Sequence, residues 1–111
     1  MSRITTHVLD TARGRPAEGV PVTLEVRSGG DWKTLGRGST DSDGRARDLS
    51  AGETAPGTYR LTFETAAYFA STGVEGFYPE VQVVFEVRDP SQHHHVPLLL
   101  SPFGYSTYRG S

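Results

Sequence analysis

Glycine and proline interrupt this chain so often that long regular elements have little room to form. The 111 residues include 13 glycines and 7 prolines, with short strand-like runs between them. Such punctuation predicts an all-β sandwich or barrel. The runs themselves alternate as half-buried strands do. In residues 4–9, Ile4, Thr6 and Val8 share one face, and Thr5, His7 and Leu9 share the other. In residues 20–27, Val20, Val22, Leu24 and Val26 oppose Pro21, Thr23, Glu25 and Arg27. Ser28-Gly29-Gly30-Asp31 reads as a hairpin turn leading into a return strand over 32–38. Asp41-Ser42-Asp43-Gly44 reads as a tight turn ending at Arg45. Further strands are expected at 58–63, 81–87, 95–100 and 103–108, and residues 10–16 form a loop. Only 64–71 departs from alternation. Its Ala66, Ala67, Phe69 and Ala70 suit one or two helical turns that Gly73 ends. The expectation is seven or eight strands and one short helix, in a single domain over residues 1–111.

A domain of this length has a thin core, so self-association is a natural way to bury more surface. A net charge of −2 gives no electrostatic reason to expect nucleic acid or an anionic membrane as partner. The absence of cysteine excludes disulfides, thiolate metal sites and a cysteine nucleophile, and fits a reducing compartment. No apolar segment follows Arg3 as it would in a secretory signal, and no apolar run is long enough to span a bilayer. A cytoplasmic location is expected.

Parity directs attention to a few polar side chains. In His93-His94-His95-Val96-Pro97-Leu98-Leu99-Leu100, the odd positions share one face while Val96, Leu98 and Leu100 point into the core. His7 opposes Ile4, Thr6 and Val8 by the same rule, and Tyr108 opposes Phe103 and Tyr105. His7, His95 and Tyr108 therefore project from non-core faces, beside apolar Leu9, Pro97 and Leu99. An apolar outer face containing histidines suggests a subunit interface.

Four blocks of sequence occur in order: Thr6-His7-Val8-Leu9-Asp10 with Gly14-Arg15-Pro16-Ala17, then Thr40-Asp41-Ser42-Asp43-Gly44-Arg45, then His95-Val96-Pro97-Leu98-Leu99-Leu100-Ser101-Pro102, and last Tyr105-Ser106-Thr107-Tyr108-Arg109-Gly110-Ser111. Together they resemble the 5-hydroxyisourate hydrolases of the transthyretin-like family across the whole chain. The terminal Tyr-Arg-Gly-Ser is the most specific element, since the hormone-carrying transthyretins lack it. The resemblance implies a transthyretin-like sandwich of two four-stranded sheets, with a short helix after the fifth strand. It implies a homotetramer of two dimers back to back, with active sites in the channel between them. The implied reaction opens 5-hydroxyisourate by water attack at the C6 carbonyl, giving 2-oxo-4-hydroxy-4-carboxy-5-ureidoimidazoline, with no metal or organic cofactor. The family's catalytic histidines fall on His7 and His95, its arginine on Arg45 and its C-terminal serine on Ser111. Tyr108 falls on a substrate-contacting tyrosine, and His93 on a nearby histidine at the substrate. His94 stands where many members have tyrosine, which should alter local packing at most.

The residue types suit that chemistry. Amide hydrolysis needs water activated near neutral pH, where imidazole exchanges protons readily. A planar guanidinium matches a flat acidic heterocycle whose carbonyl gains negative charge. Each residue also has a plainer reading. Alone, His7 is a surface-strand histidine, Arg45 a solvated turn residue and Tyr108 a packing residue. Ser111 belongs to a chain end, and chain ends usually fray. The histidine triplet suggests a metal, but parity leaves only His93 and His95 together and no nearby motif completes a tetrahedral shell. Asp41 and Asp43 read as turn formers rather than paired catalytic carboxylates. Two other functions share the fold: a non-catalytic carrier of small aromatic ligands, and a structural sandwich module.

Overall fold

The computed structural model describes residues 3–47, 49–50 and 54–111. Among them are nine strands and one helix: β1 (Ile4–Asp10), β2 (Arg15–Pro16), β3 (Pro21–Ser28), β4 (Asp31–Ser39), β5 (Arg45–Ala46), β6 (Gly57–Phe63), α1 (Thr65–Thr72), β7 (Val81–Val87), β8 (His94–Ser101) and β9 (Gly104–Thr107). The second of the two sheets has the order β4-β3-β6-β7. In the other, β1 lies between β8 and the two short strands, and β9 closes the far side. β2 pairs with Leu9 and Asp10, whereas β5 pairs with Thr6 and His7. They share one edge of β1 in tandem, so this sheet is four strands wide at any level. Counting both two-residue strands raises the total above the expected seven or eight, and α1 then follows the sixth strand.

Every pairing is antiparallel except β1 with β8. The β1–β8 register matches Thr5 with His95, His7 with Pro97 and Leu9 with Leu99. The inner faces meet in one core. Ile4, Val8, Leu98 and Leu100 of the first sheet pack with Val22, Leu24, Leu61, Phe63, Val81 and Val87 of the second. Each such side chain stabilises the fold by about 1.5–3 kcal/mol relative to exposure, which fixes the register, since a one-residue slip would turn the set outward.

The helix is tied to the end of β1. Tyr68 and Phe69 are its buried aromatics, and the Tyr68 hydroxyl donates to Oδ2 of buried Asp10 at 2.6 Å. Oδ1 of Asp10 accepts the backbone N–H groups of Ala12 and Arg13, which closes the turn into β2. Burial, reinforced by Asp10, pushes the Tyr68 phenol above its ordinary pKa. Gly73 ends the helix in the left-handed region at φ 71°.

Candidate active site

Two neighbouring rungs of the first sheet build the site. On one, Arg45 of β5 is the register partner of His7 on β1, and His7 is the partner of Pro97 on β8. On the other, Thr5 pairs with His95, and His95 bridges to Gly110 near the chain end. Side chains two residues apart on a strand share a face. Thr5, His7, Arg45, His95 and Pro97 therefore rise from one surface of the sheet.

The turn before β5 sets Arg45 in place. Gly44 has φ +77° and its carbonyl accepts the Val8 N–H at 2.7 Å; a Cβ there would lie 2.4 Å from the Val8 oxygen. Only glycine lets the turn close so tightly on β1. Oδ1 of Asp41 accepts the N–H groups of Asp43 and Arg45 at 2.9 and 3.0 Å, and Oδ2 accepts from Arg47 at 3.1 Å. The Arg45 N–H is the main reason the Asp41 carboxyl stays below its usual pKa. Asp41 thus forms the turn. The Asp43 carbonyl accepts from Nε2 of His7 at 2.8 Å. Because a carbonyl can only accept, neutral His7 carries its proton on Nε2 and keeps its lone pair on Nδ1.

His95 is held on its other ring nitrogen. Nδ1 lies 2.8 Å from the Thr5 hydroxyl oxygen, and Nε2 of His93 lies 2.8 Å from the same oxygen. Nε2 of His95 is left for the pocket. Burial, then the charges of Arg45, His93 and His7, hold His95 below its ordinary pKa. Neutral pH therefore finds this half-buried imidazole in its basic form.

The chain end continues the β8–β9 register past β9. Leu98 pairs with Thr107, and three residues further along His95 pairs with Gly110, whose N–H donates to the His95 carbonyl at 2.8 Å. Hydrogen-bonded pairs alternate in such a ladder, and the one between falls on Pro97, which has no N–H. The ladder breaks there and resumes at Gly110. Ser111 is thereby brought to the pocket wall.

The resulting open pocket has a volume of about 310 Å³, walled by Arg45, Arg47, His93, His95 and Ser111, with Arg3, Thr5 and Thr6 completing it. Of the residues singled out by sequence, Arg45, His93, His95 and Ser111 meet here. His7 stands beside them, two positions along β1 from Thr5. Tyr108 is exposed and lines a neighbouring groove with Phe85, Arg109 and again His95, which is the wall between the two spaces. Sequence reasoning missed Thr5, Gly110, Arg3 and Arg47. Parity places Thr5 with His7 and Arg47 with Arg45, but nothing local reveals that β1 lies against β8.

His94 faces away from this pocket. It is buried, its Nδ1 donates to the Gln92 carbonyl at 3.0 Å, and burial lowers its pKa. Among the described residues no three His, Cys, Asp or Glu side chains gather as a metal-holding group. Nor, among them, is any helix long and apolar enough to cross a membrane.

The chain resembles known proteins over nearly its full length. It is 47% identical over 109 residues to a 5-hydroxyisourate hydrolase of Salmonella typhimurium, covering 97% of this chain and 80% of that one. The structure of a Klebsiella pneumoniae 5-hydroxyisourate hydrolase superposes with a TM-score of 0.89 at 41% identity, covering 100% of both chains. Sea bream transthyretin in complex with thyroxine superposes with a TM-score of 0.91 at 31% identity, covering 96% of this chain and 93% of that one. Fold similarity is thus nearly the same toward the hydrolase and the transthyretin, while sequence identity favours the hydrolases. Residues 4–110 match the family described as HIUase/Transthyretin, and the chain belongs to that family.

Proposed function

We propose that this protein is a 5-hydroxyisourate hydrolase of urate degradation, opening the substrate ring by water attack at the C6 carbonyl to give 2-oxo-4-hydroxy-4-carboxy-5-ureidoimidazoline. The observation that carries the reading is the pairing of a basic imidazole with guanidinium groups in one pocket. His95 is held with a free Nε2 and a lowered pKa beside Arg45 and Arg47. Nε2 of His95 accepts a proton from water as the oxygen attacks the carbonyl. The Arg45 guanidinium, with its fixed donors, stabilises the oxyanion that forms. His95 then returns that proton to the departing ring nitrogen, while His7, beside Arg45, is the second catalytic histidine and accepts a hydrogen bond on its Nδ1 lone pair. Ser111 completes the catalytic set at the pocket wall. His7, Arg45, His93 and Tyr108 contact the substrate, Tyr108 from the groove behind His95. The cationic surround suits a flat, acidic heterocycle.

The reading extends to a homotetramer in the cytoplasm. Support for assembly comes from the half-buried Leu9 and Leu99 on the outer face of the first sheet, and from exposed Phe103 at the β8–β9 turn and Tyr105 on β9. The lack of cysteine suits a reducing compartment.

A carrier role remains the second reading because the likeness to sea bream transthyretin in complex with thyroxine is as close in fold. One assay separates them. Uricase acting on urate generates 5-hydroxyisourate in place, and its absorbance is followed with and without the protein. A hydrolase accelerates the decay catalytically, whereas a carrier at substoichiometric concentration leaves it unchanged.

A further inference from the structure

Oγ1 of Thr5 is the meeting point of two histidines, 2.8 Å from Nε2 of His93 and 2.8 Å from Nδ1 of His95. Thr5 itself is buried, with 6% of its surface exposed, and is the register partner of His95 on the adjacent strand. The contact is thus fixed by the sheet. A threonine hydroxyl has one proton to donate. It can donate to one imidazole nitrogen only, so the other ring must supply its own N–H to the Thr5 oxygen. Because the two rings meet the Thr5 oxygen through different nitrogens, His93 and His95 then adopt the same tautomer, and the two are linked.

We propose that Thr5 is a positioning residue for the hydrolysis, its hydroxyl setting the tautomer of His95 and linking that imidazole to His93 as a proton relay. The inference rests on reading His95 as an acid–base group. In the resting state Thr5 donates to Nε2 of His93, and Nδ1–H of His95 donates to Thr5, which leaves the lone pair of His95 on Nε2. When Nε2 takes a proton from the attacking water, the Nδ1 proton passes to the Thr5 oxygen. Thr5's own proton passes to Nε2 of His93. The balance is one proton from water to His93, a hydroxyl oxygen bonded to the carbonyl carbon, and a neutral His95 that now carries its proton on Nε2. That proton faces the pocket and is ready to be returned.

Burial makes this transfer useful. His95 is half-buried and His93 is exposed, so a positive charge is better solvated on His93. The charged and titratable groups around His95 are Arg3 just before β1 and His7 on it, Arg45 and Arg47 at β5, His93 before β8 and the terminal Ser111, with Glu86, Tyr108 and Arg109 in the neighbouring groove. The arginines disfavour a second cation at His95 and favour its export to the solvent side.

The test replaces the hydroxyl with a methyl group of equal size. Thr5→Val should lower kcat about tenfold or more while KM changes little, and Thr5→Ser should recover most of the loss. A purely structural role would not produce that split or that rescue. A second measurement does not depend on turnover. Ring-nitrogen chemical shifts in 15N-histidine-labelled protein should show linked titrations of His93 and His95 in the wild type, with one tautomer at His95. In Thr5→Val the link should vanish and both tautomers should appear. Unchanged ring-nitrogen titrations in Thr5→Val would overturn the proposal, even if activity fell. A wild-type protein that fails to hydrolyse 5-hydroxyisourate would instead sink the hydrolase reading, and that result needs no variant.

Discussion

Gly110 lies so close to His95 that a Cβ on it would stand 2.6 Å from the imidazole Cδ2. Its N–H also donates to the His95 carbonyl at 2.8 Å. The chain end and the imidazole are therefore fitted to one another. Gly110→Ala must turn the ring or detach the terminal rung. We predict a fall of about 10²-fold in kcat/KM, the scale of a small misplacement of a catalytic group. Thermal unfolding should change little, because one bridge is lost and the core is untouched. Full activity in Gly110→Ala would show that the ring tolerates displacement.

The two histidines differ in how they are held, yet both should be needed. His7→Ala and His95→Ala are each expected to keep the fold and to lower kcat/KM by about 10²-fold or more. His95→Ala removes a half-buried ring and His7→Ala frees only the Asp43 carbonyl, so neither touches the core. Steady-state kinetics with circular dichroism on both variants tests this. Near wild-type turnover in either removes that histidine from the mechanism.

Activity should persist to lower pH than an ordinary histidine allows. His95 is held below 6.5, so its basic form survives as pH falls through that value. The acid limb of the kcat/KM profile should therefore lie on the acid side of 6.5, and a limb above it would contradict the assignment of His95 as base. Stability has a related sign. His94 and His95 both have lowered pKa values when folded. Between the folded and unfolded values the unfolded chain binds more protons, so stability declines as pH drops from about 6.5 through the folded pKa values. Thermal unfolding followed across that interval measures the decline, and His94→Phe should flatten it.

Arg45→Lys keeps the charge and loses the planar pair of donors. A loss of about 10²-fold in kcat/KM is expected, as for removal of one oxyanion donor. If lysine supported full activity, charge alone would account for the residue.

Leu99 sits on the outer face of β8 between Leu9 and Ser106. Leu99→Glu should split the proposed tetramer and reduce specific activity, as read by light scattering and assay at matched concentrations. A fully active dimer or monomer would contradict a site completed by assembly.

The sequence alone determined the longer strands, the helix and the inward-facing set, but not the two-residue strands β2, which lies within the expected loop, and β5. Alternation in residues 4–9 and 81–87, the turns at Gly29-Gly30 and Asp41–Gly44, and the helix ended by Gly73 are local, because period and turn chemistry act over a few residues. The same parity put His7 and His95 on outer faces, and the family motifs marked Arg45 and Ser111. Tertiary structure decided which of these side chains meet. The parallel pairing of β1 with β8 joins residues about ninety positions apart, and it alone sets Thr5 against His95. The break at Pro97 and the bridge at Gly110 bring Ser111 to the same pocket, while Tyr108 passes into the groove behind it. Such contacts follow from how two sheets share a core and how the register of one rung propagates to the next. No short stretch of sequence carries that information.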